Sequence, residues 1–145
     1  MPDASFVGTA LAPSAPYLVG REKIKEFALA IGEGASVCTD VEAARAAGHP
    51  DLVAPPTFSV TFTMPLIEGF LRDPAFGWDY SRMVHGDQSI VLHRPIHGGD
   101  ELITTIHVEE LSSRAGSHML TLRCEVTDVE GAPVATTKSL LVTGS

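Results

Sequence analysis

The sequence predicts an α+β domain with its helices first and an antiparallel sheet after. Two observations carry this. Hydropathy repeats at helical spacing in the first half and switches to a period of two after Arg72, Asp73 and Pro74. The joins between the period-two runs are short turns, whereas parallel strands need crossovers of about a dozen residues. One sheet face carries an alternating apolar set that must be buried, and the helical half upstream is its only apolar partner.

The elements follow in order. Pro2, Gly8, Pro13, Pro16 and Gly20 break the start into a short strand or two with turns. Ile24, Phe27, Ala28 and Ile31 then fall at i, i+3, i+4 and i+7, one apolar stripe, with Arg21, Glu22, Lys23, Lys25 and Glu26 on the wet side. Gly32 is the stop. Thr39-Asp40-Val41-Glu42 fits a capping box with Thr39 as the cap, opening a short helix through Ala47 that Gly48 ends. Residues 54–71 are ambiguous. Phe58, Thr61, Phe62, Pro65, Leu66, Gly69 and Phe70 keep helical spacing, while Thr57, Val60 and Thr63 favour a strand and Pro65 cannot donate to a helical ladder. Pattern alone leaves both open.

After residue 74 four period-two runs follow: residues 83–93, Leu102 to Glu109, His118 to Thr127, and 134–143. Leu102, Thr104, Ile106 and Val108 form one face, and Leu120, Leu122, Cys124 and Val126 another. Turn chemistry at residues 97–100, 112–117 and 128–133 makes them an antiparallel meander.

Composition narrows the function. The 145 residues suit one domain, residues 1–145. Ten Lys and Arg against eighteen Asp and Glu give a net charge of −8, which does not suit a nucleic-acid backbone. Apolar residues at 44% and charged residues at 19% exclude intrinsic disorder. No apolar run approaches the ~18–20 residues that cross a bilayer. Met1-Pro2-Asp3-Ala4-Ser5 shows neither a basic nor an apolar leader segment, and Cys38 and Cys124 have no metal or CxxC spacing. A cytoplasmic location with two reduced thiols is the expectation.

Few motifs survive inspection. Gly32-Glu33-Gly34 lacks the preceding strand and the third glycine of a dinucleotide loop. His93 and His97 have HxxxH spacing, but Pro95 forbids a helix, and in a strand they stand ~13 Å apart at ~3.3 Å per residue. Neither metal nor cofactor is expected. Phe27, Phe58, Phe62 and Phe70 read first as core.

Five stretches carry a resemblance: residues 21–28, 42–50 and 53–58, then Val84-His85-Gly86-Asp87-Gln88 and His93-Arg94-Pro95-Ile96-His97-Gly98-Gly99-Asp100. Together, and in this order, they resemble the N-terminal type of MaoC-like dehydratases, including the accessory subunit of bacterial (3R)-hydroxyacyl-ACP dehydratases. The resemblance implies a hot-dog fold, an antiparallel sheet wrapped around one long central helix over residues 56–71. It also implies pairing with a second hot-dog chain, identical or catalytic, and an acyl-CoA or acyl-ACP thioester as ligand.

In active members an Asp and a His in a G-D-x-N-P-[LIV]-H-like loop move the proton, and amides at the start of the central helix hold the thioester oxygen. Here that loop is Gly32-Glu33-Gly34-Ala35-Ser36-Val37-Cys38. Glu33 replaces the Asp and Cys38 the His, a thiol of pKa ~8.5 being a poor shuttle at pH 7. Pro56 stands where active members have Gly, and it has no N–H. The resemblance therefore implies an accessory, acyl-chain-binding half, with Pro56, Thr57, Phe58, Phe62 and Gln88 toward the ligand. The alternatives are a self-sufficient hydratase or acyl-CoA thioesterase using Glu33, His85 and Asp87, or a non-enzymatic acyl-thioester binder. Arg72, Arg82, Arg94 and Lys138 are candidates for a cationic patch.

Overall fold

A computed structural model describes residues 1–144. The elements run β1 (Tyr17–Leu18), α1 (Arg21–Ala30), α2 (Val41–Ala46), α3 (Val60–Leu71), β2 (Met83–Leu92), β3 (Glu101–Arg114), β4 (Ser117–Asp128) and β5 (Pro133–Thr143).

The α1 stripe buries Ile24 and Ala28 and half-buries Phe27, but Ile31 lies past the helix end and is exposed. Gly32, at φ +73, closes the helix as expected. The Gly32 N–H reaches the Leu29 carbonyl at 3.2 Å and the Glu33 N–H the Ala28 carbonyl at 2.8 Å, a Schellman closure. The start of α2 differs from the expected capping box. Asp40, not Thr39, is the cap, its Oδ1 accepting the Glu42 N–H at 2.9 Å. With the cap moved to Asp40, Glu42 stands at the second helical position and not the third that a capping box requires, and it pairs with Arg45 at 3.1 Å.

The ambiguous segment is a helix, but it begins at Val60 and not at residue 56. Residues 55–59 form a tight turn, with the Phe58 N–H on the Pro55 carbonyl at 2.9 Å and the Val60 N–H on the Thr57 carbonyl at 3.2 Å. Pro65 sits inside α3 on its exposed side, where a missing N–H is least costly.

The five-stranded sheet is antiparallel with order β1-β3-β4-β5-β2. The meander expectation holds for β3, β4 and β5 only. β2 pairs with β5, so residues 93–100 carry the chain from one side of the sheet to the other. The predicted turn at 112–117 shrinks to Ala115 and Gly116, both at positive φ (51° and 83°), because such a two-residue tip matches the strands' twist. Buried Leu102, Thr104, Ile106 and Val108, with Leu120, Leu122, Cys124 and Val126, form the inner face as predicted.

α3 lies on that face. Phe58 and Phe62 pack with Leu102, Val126 and Val134, and Ile67, Phe70 and Leu71 with Ile106, Leu122 and Leu141. This is the hot-dog arrangement. Among the described residues no helix is long and apolar enough to cross a membrane.

Candidate functional site

Three stretches converge on a cavity of about 510 Å³: the loop after α1, the turn before α3, and the segment leaving β2. Its walls are Glu33, Ala35, Val37 and Cys38, then Val53 to Pro56, then Leu92 to Pro95. The Schellman closure at Gly32 delivers Glu33, whose Oε1 accepts the Ala35 N–H at 3.0 Å and tightens the loop. A 3₁₀ turn over Ser36–Cys38 then turns the Cys38 thiol inward, where it is buried. Burial, and after it the charge of Glu33, pushes the Cys38 thiol above its ordinary pKa. Cys38 is therefore a protonated thiol at neutral pH.

Pro56 rims the same cavity. The amides that follow it are largely consumed. Those of Phe58, Val60, Thr61 and Phe62 each bond a carbonyl three residues back, at 2.9–3.2 Å. The usual anion-binding character of a helix start is muted here for two reasons, a missing donor and a tight turn that takes its neighbours.

Sequence reasoning did not assign His93 to this cavity and could not place Arg94. His93 Nε2 lies 2.9 Å from Thr136 Oγ1, which itself donates to Glu125 Oε2 at 2.7 Å. Because the Thr136 proton goes to the carboxylate, Nε2 of His93 must be the donor in that contact. Arg94 is the only Arg or Lys on the cavity wall among the described residues, and Asp100 holds its guanidinium at 2.7 Å. The other cation candidates lie elsewhere. Arg72 stacks over the Tyr80 ring at 4.1 Å, Lys138 pairs with Glu109 at 3.1 Å, and Arg82 borders a separate cavity. The HRPIHGGD stretch was the sequence signal for His93 and Arg94, but the fold's strand order was needed to read it.

The remaining candidates do not join Glu33 and Cys38. His85, Asp87 and Gln88 are exposed on the edge strand β2 and line no part of the cavity, with a register break between His85 and Asp87. Gln88 Oε1 accepts the Ser139 hydroxyl at 2.7 Å instead. Thr57 is exposed beside the cavity, and Phe58 is fully buried against Phe27 (ring centroids 5.6 Å apart) and Phe62. Phe62 stacks on Tyr17 at 4.9 Å and lines a second, apolar cavity of about 300 Å³ with Thr61, Pro65 and Leu66. Leu66 and Phe70 border an adjoining cavity of about 230 Å³. Among the described residues no three His, Cys, Asp or Glu side chains converge to hold a metal.

The family model described as "FAS1-like, dehydratase domain region" matches residues 5–137. The chain belongs to that dehydratase family. A UPF0336 protein of Saccharopolyspora erythraea is 51% identical over 140 residues, covering 97% of this chain and 90% of the relative. A solved MaoC-like dehydratase superposes with a TM-score of 0.87 at 30% identity, over 97% of this chain. This chain spans 43% of that longer one. The C-terminally truncated HadBC (3R-hydroxyacyl-ACP dehydratase) complex of Mycobacterium tuberculosis superposes at 0.86 with 28% identity, covering 94% of this chain and 96% of that one. The dehydratase-family chain thus keeps the MaoC-like scaffold.

Proposed function

We propose that this chain is the accessory half of a (3R)-hydroxyacyl thioester dehydratase, or enoyl-thioester hydratase, working beside a catalytic hot-dog partner in the cytoplasm. Residues 1–145 act as one MaoC-like domain. The observation that carries the reading is the cavity where α3 begins. It holds a protonated thiol and a proline where the reaction needs a proton shuttle and an oxyanion donor. Losing one such donor costs ~10²–10³ in rate. Two further features support it. The ten-residue strand β2 presents an exposed edge that a second sheet can extend. The apolar cavities along α3, lined by Phe62, Leu66 and Phe70, suit the tail of an acyl-CoA or acyl-ACP thioester.

The test is hydration of crotonyl-CoA by the purified chain, alone and mixed with a MaoC-like chain carrying the intact loop motif. Negligible turnover alone, with co-purification and restored or broadened turnover in the mixture, is the expected result. Fast turnover by an exclusive homodimer would overturn it.

One observation favours a second reading, a self-sufficient hydratase: Glu33 and His93 line the same cavity. Under that reading Glu33→Gln and His93→Gln each abolish turnover by the chain alone.

A further inference from the structure

His49 and His97 belong to segments 48 residues apart, yet Nδ1 of His49 lies 3.0 Å from Nε2 of His97, with ring centroids 5.2 Å apart. At that separation one nitrogen donates and the other must keep its lone pair, so the contact survives with at most one ring charged. Both side chains are half-buried.

Their positions give the contact a purpose. His49 follows the glycine that ends α2, and α2 packs on the Ser36–Cys38 turn of one cavity wall. His97 lies in residues 93–100, whose first three members form the opposite wall. Residues 52–54, which follow His49 and run into the wall made by Val53 to Pro56, are tied to this stretch by the Ala54 N–H on the Ile96 carbonyl at 2.8 Å and the Gly98 N–H on the Leu52 carbonyl at 3.0 Å. The Val53 N–H ties them to the Ser36–Cys38 turn through the Val37 carbonyl at 2.9 Å.

The surroundings do not welcome a second imidazolium. Asp100 is paired with Arg94 at 2.7 Å and accepts the His97 backbone N–H at 2.8 Å. Asp51 is paired with Arg21 at 2.6 Å and also feels Arg45. Each nearby carboxylate is thus already matched by a guanidinium. Burial is the main cause that holds His97 below the ordinary histidine pKa. The charges of His49 and Arg94 act with it, against those of Asp100 and Asp51.

We infer that the His49–His97 contact is an acid-released clamp on the cavity, holding residues 49–54 against residues 93–100 while at least one ring is neutral and letting them part when both are charged. The inference concerns the geometry of the cavity and is independent of whether the chain turns over substrate. Because the folded pKa of His97 lies below the ordinary value of about 6.5, the open form takes up a proton more readily than the closed one, and opening grows by up to about tenfold per pH unit between those two values.

The experiment is NMR on the purified full chain between about pH 7.5 and about pH 5, following histidine side-chain titration and amide exchange corrected for intrinsic rates. Protection of the Ala54 and Gly98 amides is expected to fall by up to about tenfold per pH unit below about pH 6.5 until the folded His97 itself titrates, while the central β4 amide of Leu122 holds. His97→Gln keeps a hydrogen-bonding partner for His49 but cannot titrate, and its Ala54 and Gly98 protection is expected to stay flat. A His97 ring in wild type that titrates at or above the ordinary value overturns the clamp. So does equal loss of protection in wild type and His97→Gln.

Discussion

Gly98→Ala tests how closely residues 93–100 are docked over the cavity. A Cβ at Gly98 would penetrate Asp51 Oδ1 and lie 3.1 Å from Asp51 Cγ and 3.3 Å from Arg21 Cγ. Asp51 is not free to move aside. Its Oδ2 holds Arg21 Nη2 at 2.6 Å, and its Oδ1 accepts the N–H of fully buried Leu52 at 2.8 Å. Stripping that amide of a charged acceptor costs about 1.5–3 kcal/mol. The Arg21 pair is half-exposed and screened, and adds about 0.5 kcal/mol at most. Residual crowding overlaps with both and brings the total to about 3 kcal/mol. Against a whole stability of roughly 7–20 kcal/mol, at 0.05–0.15 kcal/mol per residue, that is a large fraction. Gly34→Ala is the control, since a Cβ there meets nothing within 4 Å, and its effect is within about 0.5 kcal/mol. Urea unfolding followed by far-UV circular dichroism reads both variants, with m unchanged. A Gly98→Ala midpoint equal to wild type, or a Gly34→Ala midpoint that drops as far, would refute the close-docking argument.

Three other outcomes are expected. Ser59 is fully buried and its hydroxyl has no hydrogen-bond partner among the described residues, so Ser59→Ala should raise the urea midpoint by the equivalent of about 1 kcal/mol; a lower midpoint would show a partner that this arrangement lacks. Cys38 and Cys124 are buried free thiols, Cys124 pushed up to about 11 by burial, and a thiol reagent at about pH 8 should label neither until urea is added. Rapid labelling of the native protein would contradict the placement of Cys38. Burial works to raise Glu109 and Glu125, but hydrogen bonds from Lys138 and Arg123 on Glu109, and from Thr136 and Arg123 on Glu125, prevail and hold both below the ordinary value of 4.5. The stability they contribute is complete above about pH 4.5 and is lost as pH falls through their folded values. Arg123→Gln should flatten that acid limb in stability measured against pH, and an unchanged limb would assign it to other carboxylates.

What the sequence disclosed depended on distance along the chain. Ile24 with Ala28, Gly32 as a stop, and the inner faces of β3 and β4 are set by neighbours three, four or two residues away, so period and glycine chemistry expose them. Thr39 and Asp40 compete for one capping position, and only backbone geometry chooses between them. β2 pairs with β5 and not β3, a choice between two apolar edges that local pattern does not encode. The site divides the same way. The Glu33–Cys38 loop and Pro56 meet where the Val53 N–H bonds the Val37 carbonyl at 2.9 Å, whereas His85 and Asp87 are exposed on an edge strand and Phe58 goes into the core. The His49–His97 contact joins two loops through a fold neither loop specifies alone.

The strand order also dictates a timetable for the nascent chain. β2 leaves the ribosome before any strand of the meander, yet its ladder partner is the last to be made. Until β5 emerges, the apolar flank of α3 has no finished sheet to cover it, and β2 is an unclaimed template for stray pairing. A polypeptide interrupted in translation after β4 would therefore leave β2 without its ladder partner and part of the α3 face uncovered. The β2 side of the sheet closes only once β5 has been made.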